Sequence, residues 1–184
     1  MTTMDDIRHE VSACSKCGSE YVGKSACGIG REKKGVVFLI GMNPWTENGK
    51  FKNGRGITML LDRLKGWEFE DYFFDNVVKC EMPNGRQPTR QHAQNCKEFL
   101  FRQVTLLAPM YQVLFGQFAA EHMGFKYSAW VEWQDPYTES SKVVTVPHFS
   151  SILYGSTKKK IEDYYMTLHD VLKKARQPQQ RRLF

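Results

Sequence analysis

Four cysteines carry the most specific chemistry in this sequence. Cys14 and Cys17 form a C-x2-C near the N-terminus, Cys80 closes the run Asn76-Val-Val-Lys-Cys80, and Cys96 follows after fifteen intervening residues. One tight pair and one wide pair read as a four-thiolate site that ties the N-terminus to the middle of the chain. Soft thiolates select zinc or an iron–sulfur cluster, and the spacing alone leaves both open. The first residues lack the pattern of a signal peptide, and no apolar run is long enough to span a membrane. A reducing, cytoplasmic setting is expected. There the five cysteines read as ligands plus one spare, Cys27, rather than as disulfides.

Three further segments hold residues suited to chemistry. Gly41-Met42-Asn43-Pro44-Trp45 is a turn sequence that presents Asn43. An amide is no base at neutral pH, but it can orient a water or bind a ligand. Asn76 offers one acceptor and two donors, a pattern that matches the N3–H and O4 edge of uracil and leaves groups unpaired against cytosine. In Val146-Pro147-His148-Phe149-Ser150-Ser151-Ile152-Leu153-Tyr154 a histidine follows a strand, suited to donating to developing negative charge. The apolar cluster after it is suited to entering a base stack. Each segment also has a plain reading, as an ordinary turn, a satisfied strand amide and a structural loop histidine.

These residues need elements to position them. The run 36–40 is continuously apolar and β-branched, as expected of a strand buried on both faces. Residues 72–78, 111–115 and 143–146 read as three more strands. Helices are expected over 57–64, from Gln87-Pro88 to Pro109 with Ala93, Cys96, Leu100, Val104 and Leu107 at helical spacing, from 116 to 124, and over 157–175. The alternation predicts an α/β fold: three layers, α/β/α, around a central, mostly parallel four-stranded sheet. Ligands of such sheets bind beyond the carboxyl ends of the strands, where all three segments fall. Residues 1–176 read as one domain and 177–184 as a basic, disordered tail. The net charge of +6 favours a polyanionic partner. Lys158, Lys159 and Lys160, directly after the apolar loop, are candidate phosphate contacts, as are Lys173, Lys174 and Arg176. The chain is expected to act as a monomer.

Together, the segments from Cys14 to about Tyr154 resemble the uracil-DNA glycosylase superfamily, and within it the iron–sulfur (family 4) branch. Asn76-Val-Val-Lys-Cys80 matches that branch literally, Arg86-Gln-Pro-Thr89 fits its continuation, and Cys14, Cys17, Cys80 and Cys96 match its ligands in type and order. The resemblance implies a 4Fe-4S cluster on these four, with Zn as the alternative. It implies a monofunctional enzyme that flips deoxyuridine out of uracil-containing DNA and hydrolyses its N-glycosidic bond. By the same resemblance Asn43 positions the attacking water, His148 stabilises charge on uracil O2, Phe51 stacks on the base and Asn76 reads its edge. Gly41 and Met42 shape the pocket, while Ser150 and a wedge of Ile152 or Leu153 contact the DNA.

Three departures from the pattern matter. The first strand is followed by G-M-N-P, which looks like the single-strand-selective and mismatch-specific branches, rather than by G-E-A-P-G. Phe51 lies closer to the turn than the stacking residue usually does. The H-P-S motif is His148-Phe149-Ser150. Trp45 lies near the place where the most uracil-strict branch blocks the thymine methyl, so exclusion of 5-substituted uracils is expected. The competing readings are an enzyme acting on a 5-substituted uracil, a member that binds uracil-containing DNA without cutting it, and a four-cysteine zinc module with no pocket.

Overall fold

The computed structural model describes residues 2–47, 50–52, 54–136 and 141–176 of the 184. The tail expected at 177–184 lies outside the described residues. Helix α1 (Met4–Ser12) opens with a reciprocal cap: the Thr3 side chain accepts from the Asp6 N–H, and the Asp6 carboxylate accepts from the Thr3 N–H. Its Met4, Ile7 and Val11 share one buried face.

The main sheet has the strand order β1-β5-β2-β6-β8-β7. Its strands are β1 (Ile29–Gly30), β2 (Val37–Gly41), β5 (Tyr72–Asn76), β6 (Tyr111–Phe115), β7 (Val131–Gln134) and β8 (Lys142–Val146). The central β5-β2-β6-β8 set is parallel and corresponds to the four strands expected from the sequence. Two antiparallel edge strands, β1 and β7, extend the sheet to six. A separate hairpin joins β3 (Thr46–Glu47) and β4 (Lys50–Phe51) just after β2.

Every residue of β2 is buried, with successive side chains on opposite faces. Phe38 and Ile40 pack with α1, α3 (Arg90–Leu107) and α4 (Gly116–His122). Val37 and Leu39 pack with α2 (Arg55–Gly66), α5 (Phe149–Leu153) and α6 (Lys158–Arg176). Two cores on two faces make the three-layer α/β/α arrangement. Leu60, Leu64, Leu168 and Leu172 are wholly enclosed in the second core, each a burial of roughly 2 kcal/mol.

Helix α3 starts at Arg90 rather than at Gln87-Pro88 because Thr89 takes the cap position. Thr89 accepts from the His92 N–H, and His92 Nδ1 accepts from the Thr89 N–H at 3.0 Å. The helix closes on Ala108, whose φ of 38° is left-handed, just before Pro109. No described helix is long and apolar enough to cross a membrane. Because the four central strands are parallel, Gly41, Asn76, Phe115 and Val146 end at one edge of the sheet.

Candidate active site

Gly41 and Asn76 are partners in the β2–β5 register. A Cβ on Gly41 would fall inside van der Waals contact of Asn76 Oδ1 and 3.3 Å from Phe74 Cζ. Glycine is needed here because the Asn76 carboxamide oxygen lies close against the strand end, rather than for the turn expected from the sequence. Asn76 is buried, and its Nδ2 has no hydrogen-bond partner among the described residues. Phe51 meets Phe74 edge to face at 6.0 Å, Phe74 meets Phe149 at 6.2 Å, and the His148 ring stacks on Phe149 at 4.5 Å. The structure thus joins Gly41, Phe51, Asn76 and His148 through an aromatic chain, of which Phe74 and Phe149 were not singled out in the sequence. Phe149, which replaces the proline of the expected H-P-S, is buried between Phe74 and Phe115.

His148 caps α5. Its Nδ1 accepts the Ser150 N–H at 3.2 Å, so the proton of the neutral ring sits on Nε2, free to donate. Part of the residue stays open, yet burial of the ring lowers its pKa from 6.5 to about 4. Two contacts fix it in place: Gly116, at φ +84°, would bring a Cβ within 3.0 Å of His148 Cβ, and Tyr164 donates its hydroxyl to Pro147 O at 2.8 Å.

The turn after β2 is held to the loop after β5. The Val77 and Val78 N–H groups donate to Gly41 O and Met42 O, each at 2.9 Å. Met42 and Asn43 are half-buried, and Asn43 Nδ2 makes one long bond, 3.3 Å, to Pro44 O. Glu81, missed in the sequence, accepts from Thr46 N at 3.0 Å and Thr46 Oγ1 at 2.8 Å, and so anchors the β3–β4 hairpin. Trp45 is 59% exposed.

On the far side, Ser150 packs against α2, where a Cβ on Gly56 would lie 2.7 Å from Ser150 Oγ. Ile152 and Leu153 are half-buried in α5, and Ile152 packs on the α2/α6 core. Tyr154 instead stands 81% exposed. Lys158, Lys159 and Lys160 form the exposed first turn of α6. Arg176 lies at the other end of that helix, bonded to Glu68 O and stacked over Phe69, before the start of β5.

The four cysteines lie within electrostatic reach of one another: Cys14 and Cys17 follow α1, Cys80 lies in the loop after β5 and Cys96 in α3. Burial pushes Cys80 up to about 12, with Cys96, Cys17 and Cys14 adding to the rise, and Cys96 is raised by burial, Cys17 and Cys14. Asn95 Nδ2 donates to Cys17 Sγ at 3.3 Å and the Lys79 N–H to Cys96 Sγ at 3.4 Å, bonds that suit thiolates. Among the described residues no group of three or more Cys, His, Asp or Glu side chains is gathered ready to hold a metal ion. The donor set, four soft sulfurs, fits an iron–sulfur cluster and fits zinc as well. Cys27 stands apart: burial pushes its pKa up to about 12, and it accepts from Gln103 Nε2 at 3.1 Å.

The family model described as the uracil DNA glycosylase superfamily matches residues 28–171. The chain belongs to this superfamily. The match takes in Gly41, Asn76, Cys80, Cys96 and His148 and leaves Cys14 and Cys17 outside. Relatives named type-4 uracil-DNA glycosylase include the protein of Archaeoglobus fulgidus, 34% identical over 66% of this chain and 63% of that protein. Those of Saccharolobus solfataricus, at 30% over 67% and 60%, and Sulfurisphaera tokodaii, at 28% over 67% and 59%, are similar too. The chain spans about three fifths of the length of these glycosylases. Beyond the superfamily motifs, the sequence held one unused signal: Asp75 is a charged residue one short of the end of β5, after the apolar run Tyr72-Phe-Phe74, which marks a buried and paired carboxylate.

Proposed function

We propose that this chain is a monofunctional uracil-DNA glycosylase that acts on DNA as a cytoplasmic monomer. The observation that carries the reading is the Asn76 carboxamide, buried with Nδ2 unpaired beside an aromatic wall. Such an orphan donor costs about 1–3 kcal/mol until an acceptor arrives. Uracil O4 is that acceptor, with N3–H donating to Asn76 Oδ1, while cytosine offers the reverse pattern.

The nucleotide is flipped from the stack, and Phe51 covers the base. The C1′–N1 bond breaks and its electron pair leaves with uracil. His148 Nε2–H donates to O2 as charge gathers there, an electrostatic contribution that suits a buried neutral imidazole. Asn43 holds the water whose oxygen bonds C1′. That water loses a proton and the uracil anion takes one up, giving free uracil and an abasic site. The turn 41–45 holds no carboxylate, so charge stabilisation rather than general-base attack is the main contribution. Tyr154, rather than Ile152 or Leu153, is the exposed side chain available to fill the gap in the stack.

Cys14, Cys17, Cys80 and Cys96 would hold the 4Fe-4S cluster, which when bound supplies a cross-link between the N-terminal segment and the loop after β5. Uracil release from a labelled oligonucleotide, single- and double-stranded, tests the function. An alkali-labile abasic product is expected; tight binding with no release would overturn the reading. The exposure of Trp45 favours a second reading, in which the pocket is open at C5 and 5-substituted uracils are accepted. Cleavage of 5-hydroxymethyluracil at a rate comparable with uracil would support it, and strong discrimination would support exclusion.

A further inference from the structure

Behind Asn76 lies a buried charged network that the reaction does not use. Lys79 is 1% exposed and Asp75 0%. The Lys79 ammonium has three donors and meets three acceptors: Asp75 Oδ2 at 2.8 Å, Gln103 Oε1 at 2.8 Å and the backbone Asn76 O at 2.7 Å. Asp75 Oδ1 accepts the Asn76 N–H at 2.7 Å, and its Oδ2 also accepts from Gln103 Nε2 at 2.6 Å. Both backbone polar groups of Asn76 are therefore held by one ion pair.

The topology explains why. The Val77 N–H turns toward β2 to reach Gly41 O, so Asn76, one residue earlier, turns its own N–H and C=O toward the β1 side. There β1 pairs with β5 at Phe73 and Phe74 and reaches no further. Asp75 and Lys79 take the place of the missing strand. Their side chains lie on the α3 face, while the Asn76 carboxamide lies on the opposite face against Gly41 and Phe74. The Lys79 backbone in turn donates to Cys96 Sγ and accepts from the Ala26 N–H at 2.9 Å.

We propose that Lys79, paired to Asp75, is a positioning residue for base recognition: it fixes the backbone of Asn76 so that the carboxamide faces the uracil edge. The assignment rests on the reading of Asn76 as the residue that reads that edge. It makes uracil affinity depend on a side chain that never touches uracil. A network that merely stabilises the fold would behave differently, because partial unfolding lowers the active fraction without changing how folded molecules bind.

The test compares wild type with Lys79→Met and with Asp75→Asn/Lys79→Met. The double variant leaves no unpaired charge buried, and so remains measurable where the single one does not fold. Each protein is assayed below its melting transition and with its iron content checked, for inhibition by free uracil and for KM toward uracil-containing DNA. The inhibition constant for free uracil is expected to rise by about tenfold or more, with the DNA KM little changed because phosphate contacts dominate it. An unchanged uracil inhibition constant alongside a lower kcat would overturn the positioning role. Wild-type protein that neither binds nor releases uracil would overturn the reading of Asn76 as well.

Discussion

In the proposed reaction His148 ties chemistry to stability at a single residue. Its ring titrates at about 4 in the folded chain because burial disfavours the imidazolium, against an ordinary 6.5 when unfolded. Between these values the unfolded chain binds more protons, so stability is lost as pH falls from 6.5 toward 4 and is fully present above 6.5. The loss is at most about 3–4 kcal/mol, the roughly 2.5 pH units from 6.5 to 4 at about 1.36 kcal/mol each. His148→Gln is expected to flatten that part of the melting-temperature profile, and wild-type kcat/KM to show no inflection near pH 6.5. Activity that falls as pH rises through 6.5 would mean that the charged ring is the working form. Gly41 gives a second residue-scale prediction. Gly41→Ala forces a methyl against Asn76 Oδ1 and is expected to cost about 1–3 kcal/mol of stability while weakening free-uracil inhibition about tenfold or more. Unchanged inhibition would show that the carboxamide has another resting place. The types and order of Asn76 and His148 made them legible as candidates. The close approach that demands Gly41 was not, because a clash between strands far apart in the chain leaves no local pattern.

At the scale of elements, the four parallel strands were readable because each is short and rich in β-branched or aromatic residues, and they fix the edge where the site lies. The edge strands were not: β1 is two residues long, and β7 (Val-Glu-Trp-Gln) is too short and polar to stand out from a loop. Helix α5 reads as a loop in the sequence, which is why Ile152, partly turned to the core by the helix, resembles a free wedge there. The first turn of α6 holds Lys158, Lys159 and Lys160 and no acidic residue, an arrangement that opposes the helix dipole. A placement that costs the helix stability is understandable if the turn meets phosphate. Lys173 and Lys174 lie about 20 Å further along the helix, away from the site edge. Substituting Lys159 by Gln is expected to reduce the slope of log K against log salt by about 0.9 on duplex DNA, and Lys173→Gln to leave it unchanged. Equal effects would place the DNA along the whole helix.

For the molecule as a whole, the family match and the four-cysteine site do not coincide. The superfamily fold accounts for 28–171, while Cys14 and Cys17 follow α1, which packs on α3 through Met4, Ile7 and Val11. That helix is short and amphipathic, with a limited apolar face, and a nine-residue helix has little stability of its own. The cysteines would close a clip from residue 14 to residue 96, pinning α1 over the loop that carries Lys79 and Glu81. The sequence suggests the proposed clip through residue type and spacing but hides what it would grip, since the Asp75–Lys79 pair forms only where the strand ends. With the proposed cluster as the clip, removing iron with a chelator is expected to release α1 while leaving the parallel sheet intact. Amide hydrogen exchange should rise across 4–17 and in 77–82, with β2 and β6 still protected, because a segment opens on its own once its anchor is gone, without global unfolding. Uracil inhibition should weaken in parallel, through Lys79. If α1 stays equally protected without iron, the packing of Met4, Ile7 and Val11 holds the segment unaided, and the four thiolates serve something other than a clip.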